Sequence, residues 1–277
     1  MTTRSALSRR TALAAATAGA AGLAVGTAAP SAYAETASTS EQKGSQPTIV
    51  LVHGAFADAS TWNPVTERLQ RCGHQVIAAS NPLRGLPHDA AQIAARLTAI
   101  PGPVVLAGHS YAGAVITQAA ATAANVKALV YIAAFMPDAG EVLGDLAGRF
   151  PGSQLEPALT PVPAPGGSPA ADLYIRPDRF HDVFAQDVPR SVTRVLGAGQ
   201  RPLNATAFTD LCTAAAWRTL PSWALISGQD RGIVPELQRF QARRAGSRAT
   251  EVSASHLPMY SRPDAVVSLI RAAARTI

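Results

Sequence analysis

Short apolar runs recur along the chain: TIVLV (48–52), QVIAA (75–79), PVVLA (103–107), ALVYIAA (128–134) and SWALIS (222–227). Runs of this length without polar alternation read as strands covered on both faces. Between them lie segments with helical spacing, roughly Trp62 to Cys72, Pro87 to Ile100 and Tyr111 to Ala124. The pattern resumes after residue 222 with a helix from about Pro235 to Ala245, a short strand near Thr250 to Ser253, and a helix from Pro263 onward. Such alternation predicts one doubly wound, mostly parallel sheet with helices on both faces.

The stretch from about 136 to 204 breaks this rhythm. Ten of the 21 prolines fall between Pro137 and Pro202, and Pro151 to Ala170 has no regular period. A long structureless insertion inside a compact domain is expected to be a lid or a disordered loop. Its apolar residues Leu143, Leu146, Phe150, Tyr174, Phe180 and Phe184 suit either the inner face of a lid or helices docked on the main body. No internal repeat is visible.

Residues 1–34 carry an address rather than structure. Arg4, Arg9 and Arg10 precede an Ala/Gly/Thr stretch, and Ala32-Tyr33-Ala34 offers a cleavage site. Ser8-Arg9-Arg10-Thr11-Ala12-Leu13 resembles a twin-arginine export signal, which implies the export machinery as a partner and a cleaved, extracellular or cell-envelope product. The run is too short and too rich in alanine for a permanent membrane anchor. Residues 35–46 are polar and aperiodic, a flexible linker before the main folded domain at 47–277.

Removing the leader changes the charge picture. Without Arg4, Arg9 and Arg10 the chain keeps 21 basic against 18 acidic groups, so no basic stripe suggests nucleic acid. Cys72 and Cys212 are the only cysteines, and an exported protein meets conditions in which they can pair; two buried thiols are the alternative.

The chemistry concentrates at LAGHSYAGA (106–114). Ser110 follows a strand and precedes a helix, the context of a nucleophile elbow, with small Gly108 and Ala112 two residues to each side. Glycine is usual where Ala112 stands. A serine hydroxyl needs a base, and His256 in SASHLPMYSRP lies just beyond the last short strand, whereas His181 sits inside the insertion. Asp230 in SGQDRGIVP is the candidate orienting acid, with Asp138 its competitor. The loop VHGAFADASTW (52–62) is the natural source of an oxyanion donor, the N–H of Ala55 or, as the alternative, Phe56, acting with the N–H of Tyr111. His53 and Gly54 shape that turn, and His109 reads as a packed or hydrogen-bonded histidine. No phosphate loop, H-E-x-x-H or zinc-spaced cluster is present, and no cofactor or metal is expected.

Together these four motifs resemble the α/β-hydrolase superfamily, in particular small cofactor-free bacterial esterases akin to plant methyl-ester esterases and hydroxynitrile lyases. The resemblance runs from about Thr48 to the C-terminus. It implies the α/β-hydrolase fold, a triad of Ser110, Asp230 and His256, an oxyanion hole from Ala55 and Tyr111, and a cap at 136–204. The expected activity is hydrolysis of a small ester, apolar or aromatic, through an acyl-enzyme on Ser110. A lyase on the same scaffold and a non-catalytic ligand-binding protein are the competing readings.

Overall fold

The computed structural model describes residues 46–164 and 170–277. The leader and all but the last residue of the linker lie outside the described residues. Six strands form one parallel sheet: β1 (Thr48–Val52), β2 (Val76–Ala79), β3 (Val104–His109), β4 (Val126–Ile132), β8 (Ser222–Ser227) and β9 (Arg248–Val252), in the order β2-β1-β3-β4-β8-β9. The central strands β1, β3 and β8 are buried at every position. The edges differ from that pattern and from each other. The Val76, Ile77 and Ala78 side chains of β2 are only half-buried, so QVIAA is an edge strand and not a fully covered one. At the opposite edge, β9 carries Arg248 and Glu251, charges that discourage further pairing.

Crossovers between parallel strands are right-handed. Because β2 and β3 flank β1 on opposite sides, the helices leaving β1 and β2 fall on opposite faces. Helix α1 (Asn63–Arg71) accordingly packs with the C-terminal helix α8 (Pro263–Ala274), and α2 (Leu86–Thr98) packs with α3 (Ala112–Ala119). A short 3-10 turn, Ala59–Trp62, leads into α1 and is capped by the Asp58 carboxylate, which accepts the Ser60 N–H at 2.7 Å; in α1 itself Pro64 occupies the first turn and Gly73 at φ +82° closes the C-terminal side. Helix α7 (Pro235–Arg244) likewise opens on a proline. The reversal of strand order between β1 and β3 is where a sheet of this kind opens a crevice at the carboxyl ends of its strands.

The insertion is built, not structureless. Helix α4 (Leu143–Gly148) is followed by β5 (Leu159–Val162), β6 (Asp172–Ile175), α5 (Pro177–Phe184), α6 (Arg190–Ala198) and β7 (Leu203–Asn204). The three strands pair antiparallel, with Leu159 opposite Ile175 and Leu173 opposite Leu203. Periodicity missed this sheet because β5 and β7 are short and their partners lie far away in sequence. Arg84 ties the small sheet to the body: its guanidinium donates to Asp172 at 2.8 Å and to the Pro202 carbonyl at 3.1 Å. The Asn204 N–H adds a bond to the Leu83 carbonyl at 2.9 Å. Leu143 and Leu146 are buried in the common core, while Phe150 packs on Phe240 of α7.

Candidate active site

The elbow after β3 is a constrained turn. Ser110 takes φ +56°, a left-handed conformation that typically costs about 1–3 kcal/mol for a side-chain-bearing residue. Hydrogen bonds hold it there: its N–H donates to the Ile132 carbonyl at 3.2 Å, and its carbonyl accepts from Gly113 N–H at 3.0 Å and Phe135 N–H at 3.2 Å. That carbonyl and the Tyr111 N–H belong to one peptide plane, so the same two bonds aim the Tyr111 N–H.

Steric demands at the turn explain the missing glycine. A Cβ at Gly108 would stand 2.7 Å from the Ala112 carbonyl oxygen, and one at Gly113 would stand 2.1 Å from the Phe135 carbonyl oxygen. The close approach after the serine therefore falls at position 113. Ala112, wholly buried at the start of α3, fits with its methyl group in place.

The loop after β1 lies directly against this elbow, since a Cβ on Gly54 would come within 2.7 Å of Ser110 Cβ. His53 Nδ1–H donates to the Gly54 carbonyl at 2.9 Å, and its Nε2 accepts the Asn81 N–H at 2.9 Å. Burial pushes the His53 imidazole down to about 4, so the ring stays neutral and keeps this donor and acceptor pattern. Phe56, at φ +58°, turns the loop. Ala55 and Tyr111 are buried at 3% and 2% exposure, and their N–H groups have no protein acceptor among the described residues.

Loops beyond β8 and β9 bring Asp230 and His256 to the same crevice. His256 Nε2 lies 2.8 Å from Ser110 Oγ, and His256 Nδ1–H lies 2.6 Å from Asp230 Oδ2. All three residues are buried. Asp230 Oδ1 accepts the N–H groups of Gly232 at 2.7 Å and Ile233 at 3.0 Å, while Oδ2 also accepts from Gln238 Nε2 at 2.8 Å. Such a donor set suits a carboxylate, which only accepts. A hydroxyl bonded to an imidazole whose other nitrogen faces a carboxylate can be activated toward a carbonyl carbon. The other candidates lie elsewhere: Asp138 is ion-paired with Arg218, and His181 bonds to Thr193 at 3.1 Å within the insertion.

Several participants escape a motif search. Gln238 and Gln241 are buried on the inner stripe of α7, and glutamine at core positions was the available signal for Gln238. The Phe184 ring stands 4.7 Å from the His256 ring, placing the insertion against His256. Gln186 Nε2 donates to the Gln229 carbonyl at 2.6 Å, and Asp187 Oδ2 accepts the Ser255 N–H at 2.9 Å. The insertion thus grips the residue before Asp230 and the residue before His256. The Tyr111 hydroxyl donates to the wholly buried Asp89 at 2.8 Å, with no sequence cue beyond the two residue types.

A cavity of about 180 Å³ lies between the loop after β1 and the insertion, lined by Phe56, Ala57, Phe180, Phe184, Leu196 and Leu257, with Asp58 and Ser60 also on its wall. Cys72 is exposed and Cys212 buried, and both are free thiols. Among the described residues no helix is long and apolar enough to cross a membrane.

The chain belongs to the Alpha/beta hydrolase family, whose description it matches over residues 49–269. Among sequence relatives, an alpha/beta hydrolase named nvfD from Aspergillus novofumigatus is 26% identical over 253 residues, covering 83% of this chain and 97% of that protein. Among solved structures, a pyrethroid hydrolase from Sphingobium faniae superimposes with a TM-score of 0.68 at 21% identity, covering 83% of this chain and 97% of its own. Polyneuridine aldehyde esterase gives a TM-score of 0.71 at 20% identity, covering 82% and 98%.

Proposed function

We propose that this protein is an exported serine esterase acting on small neutral esters with an apolar or aromatic group. The observation that carries this reading is the unbroken hydrogen-bonded series from Asp230 through His256 to Ser110. Ser110 Oγ attacks the ester carbonyl as His256 takes its proton, and the oxyanion is received by the N–H groups of Ala55 and Tyr111. His256 then protonates the departing alcohol. Water, deprotonated by the same imidazole, releases the acid from the acyl-enzyme. The cavity beside Leu257 and Phe184 offers aromatic and aliphatic walls, and its lining includes no basic side chain to favour a charged acid substituent. Similarity to proteins named as a hydrolase and an esterase favours ester cleavage over lyase chemistry.

The test uses mature protein and Ser110→Ala on short p-nitrophenyl esters, with a fluorophosphonate probe read by mass spectrometry. Turnover that depends on Ser110, with one adduct on that residue, supports the proposal. Folded wild type that neither turns over nor labels refutes it. Export is tested separately: the secreted chain should begin near Glu35, and Arg9→Lys with Arg10→Lys should retain it in the cytoplasm.

A further inference from the structure

His109 occupies the position between Gly108 and the serine, where the elbow geometry itself sets no requirement on the side chain. The ring is wholly buried, and its Nε2 lies 2.7 Å from the carbonyl oxygen of His256. A carbonyl only accepts, so Nε2 carries the proton and Nδ1 is a bare lone pair. That Nδ1 is buried with no partner among the described residues. A leucine or phenylalanine would fill the same space without enclosing an unsatisfied nitrogen, so packing alone is a poor reason for histidine here.

What the histidine supplies is the bond to His256. The loop that carries His256, residues 253–257, has no regular structure of its own. It is held by the Gln229 N–H to the Ala254 carbonyl at 3.0 Å, by Asp187, and by His109. Of these three, only His109 comes from the elbow. The His109 ring also stands 4.8 Å from the His256 ring, with Phe184 at 4.7 Å from that ring and Trp62 edge-on to His109. Burial, and secondarily the neighbouring His256, hold the His109 imidazole well below the ordinary histidine range, so it remains a neutral donor while His256 cycles its proton.

We propose that His109 is a positioning residue for His256: the side chain next to the nucleophile grips the backbone of the base and sets the distance between them. This inference rests on the serine-esterase reading for its kinetic consequence but not for its structural one. His109→Gln can place an amide donor near the imidazole Nε2 position, whereas His109→Leu fills the volume without a donor. Because a displacement of about 1 Å in a catalytic group can cost on the order of a hundredfold, His109→Leu should slow both kcat and fluorophosphonate labelling of Ser110 by roughly 10- to 100-fold. KM should change little, and His109→Gln should recover most of the rate.

The experiment measures labelling rates and kcat per active site for wild type, His109→Leu and His109→Gln, after thermal melts confirm folding. If His109→Leu does not fold, the unbranched His109→Met replaces it. Proton NMR of the His256 Nδ1–H facing Asp230 is recorded in parallel, since a bond of 2.6 Å should give a far-downfield signal. Slow labelling in the leucine variant with rescue by glutamine supports the proposal. Equal rates in all three, or failure of glutamine to rescue, overturns it. If wild type itself does not label, the esterase reading falls, and the NMR signal decides about His109: its loss in the leucine variant alone supports the positioning role, and its persistence there refutes it.

Discussion

Replacing Asp230 by asparagine keeps the size of the side chain and changes only its hydrogen-bonding sense. The carboxylate receives four donors, the N–H groups of Gly232 and Ile233 on Oδ1, and Gln238 Nε2 and His256 Nδ1 on Oδ2. The new amide nitrogen must take one of these two places. Facing Gly232 and Ile233, it would oppose two backbone donors that cannot move their protons. Facing His256 and Gln238, it opposes one donor that is fixed and one that is not, because the imidazole can shift its proton to Nε2 and accept on Nδ1.

The second arrangement orphans fewer donors and should prevail. Gln238 cannot easily invert to relieve the remaining conflict, since its Oε1 accepts the Ser227 N–H at 3.0 Å and its Nε2 also donates to the Ile233 carbonyl at 2.6 Å. With its proton on Nε2, His256 donates to Ser110 instead of accepting from it. The equivalent change in serine proteases costs about 10⁴ in kcat, or about 5.5 kcal/mol of barrier. One orphaned buried donor lowers stability by a further 1–3 kcal/mol or so. The assay is kcat on p-nitrophenyl acetate per titratable Ser110, alongside a thermal melt, with Asp138→Asn as control. A folded Asp230→Asn protein retaining a tenth or more of the wild-type kcat would refute the tautomer argument.

Other expectations follow from the same coordinates. Gly113→Ala forces a methyl group to 2.1 Å from the Phe135 carbonyl oxygen and should lower stability by at least 1–3 kcal/mol, measurable by urea denaturation, while Ala112→Gly should be mild by comparison. His53 titrates near 4 in the folded chain against 6.5 when unfolded, so its contribution, about 3 kcal/mol, is present above pH 6.5 and disappears as pH falls toward 4. The buried His109 acts in the same direction. A melting temperature that stays flat from pH 7 to pH 4.5 would contradict this. For the thiols, a disulfide-exchange reagent should modify exposed Cys72 in the native protein and reach Cys212, whose burial pushes its thiol up to about 11, only after unfolding.

The sheet and the residues at its loop ends were legible because both depend on local patterns. Apolar runs mark the buried strands β3 and β8, with Ser110 directly after the first and Asp230 three residues past the second, whereas His256 follows the short, charged edge strand β9. The insertion was less legible because β6 finds its partners β5 and β7 through long-range pairing and proline obscures periodicity. QVIAA reads like a central strand although it lies at an edge, since composition does not report which neighbour is missing. The supporting bonds of Gln238, Gln186, Asp187 and His109 depend on distances across the fold, and no spacing along the chain encodes them.

The grip of the insertion on the loops of Asp230 and His256 bears on how such a hydrolase can change. Gln186 and Asp187 bond to the residues next to Asp230 and His256, and Phe184 forms a wall of the imidazole. An exchange of the whole segment between relatives, intended to graft a new specificity, would therefore unfasten the chemistry with it. Variation in substrate preference is better tolerated along Phe180 and Leu196, apolar side chains that line the cavity and make no hydrogen bond to those loops. Evolution of this scaffold is expected to proceed by resurfacing the pocket while the turn at 184–187 stays fixed.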